Sequence, residues 1–153
     1  GAGEGCVMPR AARPRKAFRP RPVAPIVLRP PTPIDDEIRA ALILPAYSSL
    51  QVLQMSGNAQ ALYSARHTLA ATMDVCGIAM EGRGIDVGPI EAGVLALRSM
   101  VDRHARTGAW RASGPELEAM RAAIRHIDGH LNELWAGDIG RAVERAKREH
   151  AEG

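Results

Sequence analysis

This chain of 153 residues is 46% hydrophobic and 24% charged, a composition typical of one soluble globular domain and not of a wholly disordered protein. Aromatic residues account for only 3%, which disfavours a β-sandwich. No apolar segment reaches the about 20 residues of a membrane-spanning helix, and none follows the basic N-terminus as in a signal peptide, so we expect neither a membrane span nor secretion. The two cysteines, Cys6 and Cys76, are too few for a disulfide framework or a zinc cluster and fit a reducing, cytoplasmic compartment.

The net charge of +3 is unevenly distributed along the chain. Residues 1–33 contain seven Lys and Arg and one acidic residue, which gives +6, whereas residues 34–153 contain 13 Lys and Arg and 16 Asp and Glu, which gives −3. Eight of the eleven prolines also lie in residues 1–33, where each fixes φ and removes a backbone donor. We therefore predict an extended, basic, Pro/Arg-rich arm over 1–33, largely in the polyproline II conformation, followed by a helical domain over 34–153.

The arm contains the strongest indication of function in the sequence. Five cations and one aromatic residue lie within residues 13–22, so that arginine and lysine could neutralise phosphates while Phe18 stacks on a base. Cations beside spaced prolines are also ligands for aromatic grooves on protein partners, and a solubilising tail without a partner is the third interpretation. The residues that we predict to contact nucleic acid or a partner protein are Arg10, Arg13, Arg15, Lys16, Phe18, Arg19 and Arg21.

The domain begins with two predicted helices. The first starts among three acidic residues, 35–37, whose charges favour a helix N-terminus, and it continues to Gly57. Pro45 removes one backbone hydrogen bond within it, so we expect a split or a strong kink there. The second helix covers about 59–81, with Asn58 as its N-cap and its apolar residues on one stripe.

Two further predicted helices complete the domain. The third covers about 89–106 and ends at Gly108, a residue suited to a left-handed C-cap. The fourth starts at a capping box, 113–116, and its apolar residues follow a heptad seam. Gly137 and Gly140 weaken this helix, so a bend or break is expected there, after which the charged tail could resume as a helix. These amphipathic segments with short connections predict an all-α fold, an antiparallel helical bundle of about four helices.

The end of the fourth predicted helix has apolar residues beyond the length that the shorter helices can cover. We therefore predict a homo-oligomer in which a neighbouring chain packs on Leu134, Trp135, Ile139 and Val143. A monomeric mass in solution at high protein concentration would contradict this prediction.

Residues with catalytic or metal-binding potential are few. His126, His130 and Glu133 have a spacing that could hold a metal ion, but the glutamate that follows the first histidine of zinc-protease helices is missing, which favours surface histidines. Cys76 lies in the apolar stripe of the second helix, which indicates a buried core residue. The glycine-rich segment 82–88 follows a helix and lacks the lysine and hydroxyl of a phosphate-binding loop. We predict no enzymatic activity, no cofactor and no metal site.

Two short stretches, Pro-Arg-Lys-Ala-Phe-Arg-Pro-Arg-Pro in the arm and Thr107-Gly-Ala-Trp110 in the domain, resemble small uncharacterised proteins carried by phages and prophages of proteobacteria. The resemblance implies an accessory protein of a mobile element in the cytoplasm of a bacterial host, and it implies no particular activity. Together with the charge of the arm, it leads us to expect a non-enzymatic binding module whose arm contacts nucleic acid. The alternative is a protein-binding adaptor or inhibitor whose arm docks on an acidic or aromatic groove of a partner.

Overall fold

The computed structural model describes residues 31–55 and 58–152, and these residues fold into helices. The five α-helices are α1 (Asp36–Met55), α2 (Ala59–Gly82), α3 (Gly88–Thr107), α4 (Gly114–His130) and α5 (Ala136–Glu152), with a 3₁₀ turn at Leu131–Glu133. The predicted all-α class is confirmed, since the described residues contain no strand beyond an isolated bridge between Pro33 and Trp135. None of the five helices combines the length and the apolar character needed to cross a bilayer.

The core consists of aliphatic and sulfur-containing side chains. Within the described ranges no Phe, Tyr or Trp is among the buried residues, which agrees with the scarcity of aromatic residues in the sequence. Cys76 has no exposed surface, as predicted, and its burial raises the pKa of the thiol to about 12. The largest fully buried side chains are Leu69, Met73, Cys76, Met80, Met100, Met120, Ile124, Ile127, Leu131 and Leu134.

The helices contact one another around this core, and α3 packs most extensively against α4. Helix α1 contacts α2 and α4, while α2 also contacts α3 and α5. Gly93 allows the close approach of α3 to α4, because a Cβ atom there would lie 2.6 Å from the Cβ of Ala123 and 3.0 Å from the Sδ of Met73. Any larger residue at this position would push three packed helices apart.

Three predicted helix ends are confirmed in atomic detail. The side chain of Asn58 accepts a hydrogen bond from the backbone N–H of Ala61, at 2.8 Å, and so caps α2. Gly108 ends α3 with a positive φ of 76°, a conformation that side chains disfavour. Ser113 and Glu116 form the predicted capping box at the start of α4.

Arg103 connects the end of α3 to the start of α4 through the capping box. Its Nη1 donates to the carbonyl of Arg111 at 2.7 Å and to Oε1 of Glu116 at 2.9 Å, and its Nη2 donates to Oε2 of the same carboxylate. The backbone N–H of Ser113 donates to Glu116 as well, at 2.8 Å. The hydrogen bond from Arg103 is the main cause that lowers the pKa of Glu116 to about 2, while burial acts in the opposite direction.

The predicted split at Pro45 is wrong, because α1 is continuous from Asp36 to Met55. Pro45 and Ala41, whose carbonyl would otherwise accept a hydrogen bond from residue 45, are both exposed. Water can therefore solvate the freed carbonyl, which reduces the cost of the proline. The buried side chains of Ile43 and Ala46 on either side of Pro45 anchor both halves of the helix in one core.

The break after the fourth predicted helix lies earlier than expected. The chain leaves α4 after His130, and Leu134 adopts an extended conformation before α5 begins, whereas α5 runs through both Gly137 and Gly140. Leu131 and Leu134 are still buried, as the heptad seam requires, but they reach the core from a 3₁₀ turn and an extended residue. The low helix propensity of Gly137 and Gly140 therefore does not break α5.

Replacement of Gly93 by alanine should lower the free energy of unfolding by about 1–3 kcal/mol, because the new methyl group would overlap Ala123. Gly140→Ala is the matched control: it lies inside α5 with no atom within 4 Å of its Cβ position, and it should raise the stability by about 0.5–1 kcal/mol. Urea unfolding followed by circular dichroism measures both values. Destabilisation of equal size in the two variants would contradict the close approach of α3 to α4.

The charge of Glu116 stabilises the fold fully above its ordinary pKa of 4.5, and this contribution is lost as the pH falls towards the folded-state pKa of about 2. Glu116→Gln should therefore lower the free energy of unfolding by about 1–2 kcal/mol at neutral pH and by progressively less as the medium is acidified over that range. Glu118→Gln, in the same helix but exposed, should have an effect within about 0.5 kcal/mol. An effect of Glu116→Gln that does not change with pH would argue against the ion pair.

Candidate anion-binding cleft

The start of α5 is attached to the end of α2 by one nearly buried carboxylate, that of Asp138. Arg83, which follows α2, donates from Nε to Oδ2 at 2.9 Å and from Nη2 to Oδ1 at 3.1 Å. The backbone N–H of Trp135 donates to Oδ2 at 2.9 Å, and Nη2 of Arg141 donates to Oδ1 at 2.7 Å. Burial by itself would raise the pKa of Asp138, but the hydrogen bonds from Arg83, Trp135 and Arg141 outweigh it and hold the pKa below its ordinary value.

A cleft of about 610 Å³ lies between α2 and α5 beside this carboxylate. We call it the arginine cleft, because four of its lining residues are Arg83, Arg141, Arg145 and Arg148. The three arginines of α5 are spaced by four and three residues, so they share one face of the helix. The summed charge of −3 over residues 34–153 gave no indication of a basic face, and this spacing is the signal that could have revealed one.

The arginine cleft retains positive charge after its two carboxylates, Asp138 and Glu144, are counted, and Glu144 is paired with Lys147 at 3.7 Å. The two guanidinium groups of Arg83 and Arg141 share the single negative charge of Asp138, and Arg145 is paired with Glu149 at 3.3 Å. Among the described residues Arg148 takes part in no ion pair. Arg83 uses two of its five N–H donors on Asp138, and within residues 31–55 and 58–152 the other three have no hydrogen-bond partner. This arrangement suits an anion with several oxygen acceptors, such as a phosphate.

A second, smaller cleft of about 360 Å³ adjoins the first, with Arg83 and Arg141 lining both. We call it the Trp135 cleft. Its other lining residues are Pro31, Thr32, Trp135, Ala136 and Gly137. The carbonyl of Thr32 accepts a hydrogen bond from the backbone N–H of Ala136 at 2.8 Å, and Pro33 bridges to Trp135. Thr32 and Pro33, which the sequence placed with the arm, therefore contact the start of α5.

The predicted site residues of the arm lie outside the residues that the structure describes. They are Arg10, Arg13, Arg15, Lys16, Phe18, Arg19 and Arg21. Their role in contacting nucleic acid or a protein partner therefore stays a prediction.

The four residues predicted to form an oligomer interface have different environments within the single chain. Leu134 is only 2% exposed and packs in the chain's own core, so the premise that it projects beyond the helices is wrong. Ile139 and Val143 are half-buried, and Ile139 contacts the core. Trp135, which is 37% exposed, has the largest exposed fraction of the four residues. Packing of a second chain on this region remains a prediction for the three residues other than Leu134.

The two histidines of α4 contact other residues of the chain. His126, predicted to face solvent, is half-buried, and its Nε2 donates to the carbonyl of Asp86 at 2.6 Å, which ties α4 to the α2–α3 connection. His130 pairs through Nδ1 with Glu133. Within the described part of the chain, no three His, Cys, Asp or Glu side chains are grouped so that they could hold a metal ion.

Replacement of Asp138 by asparagine should lower the free energy of unfolding by about 1–2 kcal/mol at neutral pH, because two arginines would lose their shared counter-charge while remaining partly solvated. The pKa of Asp138 lies below its ordinary value of 3.8, so the difference from the unmodified chain should shrink as the pH falls below that value. Urea unfolding across this range is the measurement. Glu149→Gln, which removes the exposed carboxylate paired with Arg145, is the control and should change the stability by at most about 0.5 kcal/mol. Equal effects of the two substitutions would refute a central role for Asp138.

No family model, curated protein or solved structure matches this chain. The function of the cleft is therefore inferred from its geometry and charge.

Proposed function

We propose that this chain is a nucleic-acid-binding module in which the arm and the arginine cleft both contact phosphates. The observation that carries the proposal is the arginine cleft, because it concentrates positive charge on a domain whose net charge is −3. An acidic domain would repel a polyanion unless its cations were gathered on one surface. With the cleft, both parts of the chain have a cationic surface for the same kind of partner.

The three arginines of α5, which we call the arginine stripe, have a spacing that suits a phosphate backbone. Arg141, Arg145 and Arg148 extend over about 10 Å of α5, at about 1.5 Å per residue. Successive phosphates of one B-form strand advance by about 3.4 Å, so this length corresponds to about three phosphates. Arginine presents a planar fork of donors that matches phosphate oxygens, which supports localised contacts over diffuse attraction.

The scaffold that we infer for this surface is an antiparallel bundle of α1 to α4, with α5 packed outside it against α2. Three contacts support these directions. Arg39, near the start of α1, binds Asp128, near the end of α4, at 2.7 Å. A Cβ at Gly77, near the end of α2, would lie 3.5 Å from Ile90, near the start of α3, and Gly93 of α3 meets Ala123 of α4.

The resemblance to phage-borne and prophage-borne proteins adds a biological setting to the proposal, namely an accessory protein of a mobile element. The adaptor hypothesis remains its competitor, because arginine also binds the carboxylates of an acidic protein surface. The dependence of nucleic-acid binding on salt and on named arginines separates the two hypotheses.

The test compares three variants of the full chain in each of which arginines are replaced by glutamine. The cleft variant is Arg145→Gln/Arg148→Gln, which leaves the Asp138 hydrogen bonds intact. The control, Arg98→Gln/Arg125→Gln, loses the same charge from exposed positions outside the cleft. The arm variant replaces four arginines by glutamine: Arg13, Arg15, Arg19 and Arg21.

Fluorescence anisotropy of labelled single-stranded and duplex oligonucleotides, titrated at several salt concentrations, is the measurement. For a single strand, loss of two phosphate contacts in the cleft variant should make the slope of log K against log salt shallower by about 1.4, and loss of four in the arm variant by about 2.8. The control should keep the slope of the unmodified chain. Absence of binding at low salt, or equal slopes for the cleft variant and its control, would contradict the proposal.

A further inference from the structure

The exposed tryptophan next to the arginine cleft is held on a fixed backbone. Trp135 is 37% exposed and is one of five exposed large hydrophobic residues in the described part of the chain. Its backbone N–H donates to Asp138, and its backbone pairs with Pro33. A fixed backbone lets an aromatic ring meet a ligand with little loss of conformational entropy.

Trp135 lines a cleft together with two arginines. Trp135, Arg83 and Arg141 line the same cleft of about 360 Å³, a volume within the range of small-ligand sites. A Cβ on Gly137 would lie 3.2 Å from Nη1 of Arg141, so the glycine leaves space for that guanidinium at the cleft. A partly exposed tryptophan and two arginines in one cleft are the combination that can bind a base and its phosphate together.

This combination distinguishes between forms of nucleic acid. In a duplex each base is stacked and paired, and exposing its face to a tryptophan costs several kcal/mol of unstacking. In a single strand the faces are accessible, and stacking on an aromatic side chain is favourable for every base. The Trp135 cleft therefore favours a single strand, while the arginine stripe alone would accept either form.

From these contacts we infer that the ligand of the proposed function is single-stranded nucleic acid and that Trp135 stacks on one of its bases, with Arg83 and Arg141 on the adjacent phosphate. The inference rests on the proposed function, since it names the strand form that the same surface binds. In this arrangement the bound base covers part of the Trp135 surface that is exposed in the free chain.

The experiment uses the full chain with Trp110→Phe, which leaves Trp135 as the only tryptophan and hence the only indole fluorophore. A twelve-residue oligothymidylate and its duplex with oligoadenylate are the probes. The single strand should quench the fluorescence of Trp135. Trp135→Ala should weaken single-strand binding about 5- to 150-fold, as expected for one lost stacking contact, and should change duplex binding less than twofold. Trp135→Phe, which keeps an aromatic face, should retain most of the affinity.

Anisotropy of a dye-labelled oligonucleotide, measured in parallel, separates the possible failures. If neither probe binds at low salt, the proposed function itself is refuted. If the single strand binds but Trp135 is not quenched, or if Trp135→Ala binds as tightly as the unmodified chain, only the stacking inference is overturned. Sedimentation of the same variants measures their oligomeric state. If the unmodified chain is a dimer, and Trp135→Ala dissociates it without loss of DNA affinity, the ring belongs to an oligomer interface and the inference is overturned. Circular dichroism of each variant verifies the fold.

Discussion

The carboxylate of Asp138 determines where α5 begins and how it returns to the other helices. A nearly buried anion is costly unless it is fully hydrogen-bonded, and Asp138 meets that condition only when Arg83, Arg141 and the backbone of Trp135 converge on it. This requirement brings the end of α2 to the start of α5. The candidate site follows from the same contact, because the two arginines that satisfy Asp138 have further donors and together outnumber its charge. The contacts that stabilise Asp138 thus also place Arg83 and Arg141 in the lining of both clefts.

The local features of the fold were accessible from the sequence because they depend on residues within about four positions of one another. Asn58, Gly108 and the Ser113–Glu116 capping box each act on the adjacent helix turn, and all three are confirmed. The apolar stripe of the second helix also marked the buried face correctly, Cys76 included. Such signals identify helices and their inner faces, but they leave the positions of the helices in space undetermined.

The features that sequence reasoning missed depend on residues far apart in the chain. Pro45 is tolerated because it lies on the exposed side of α1, and the start of α5 follows from the contacts of Asp138 with Trp135 and Arg83. Arg83 and Asp138 are 55 positions apart in the sequence, and His126 and Asp86 are 40 apart. No local sequence pattern therefore predicts either contact. The arginine stripe of α5 is different, since its spacing was visible in the sequence but was hidden when charge was summed over the whole domain.

The reactivity of the Cys76 thiol depends on how often the core opens. Thiol reagents attack the thiolate, and a group with no exposed surface and a pKa raised to about 12 is almost never in that form while the helices are closed. Alkylation at this position must therefore wait for α2 to separate from its neighbours. Its rate under native conditions measures how often the core opens. Arg83, at the end of α2, also binds α5. Alkylation of Cys76 that slows when a ligand binds the arginine cleft would show that the ligand stabilises the whole helical domain, whereas an unchanged rate would limit its effect to the surface.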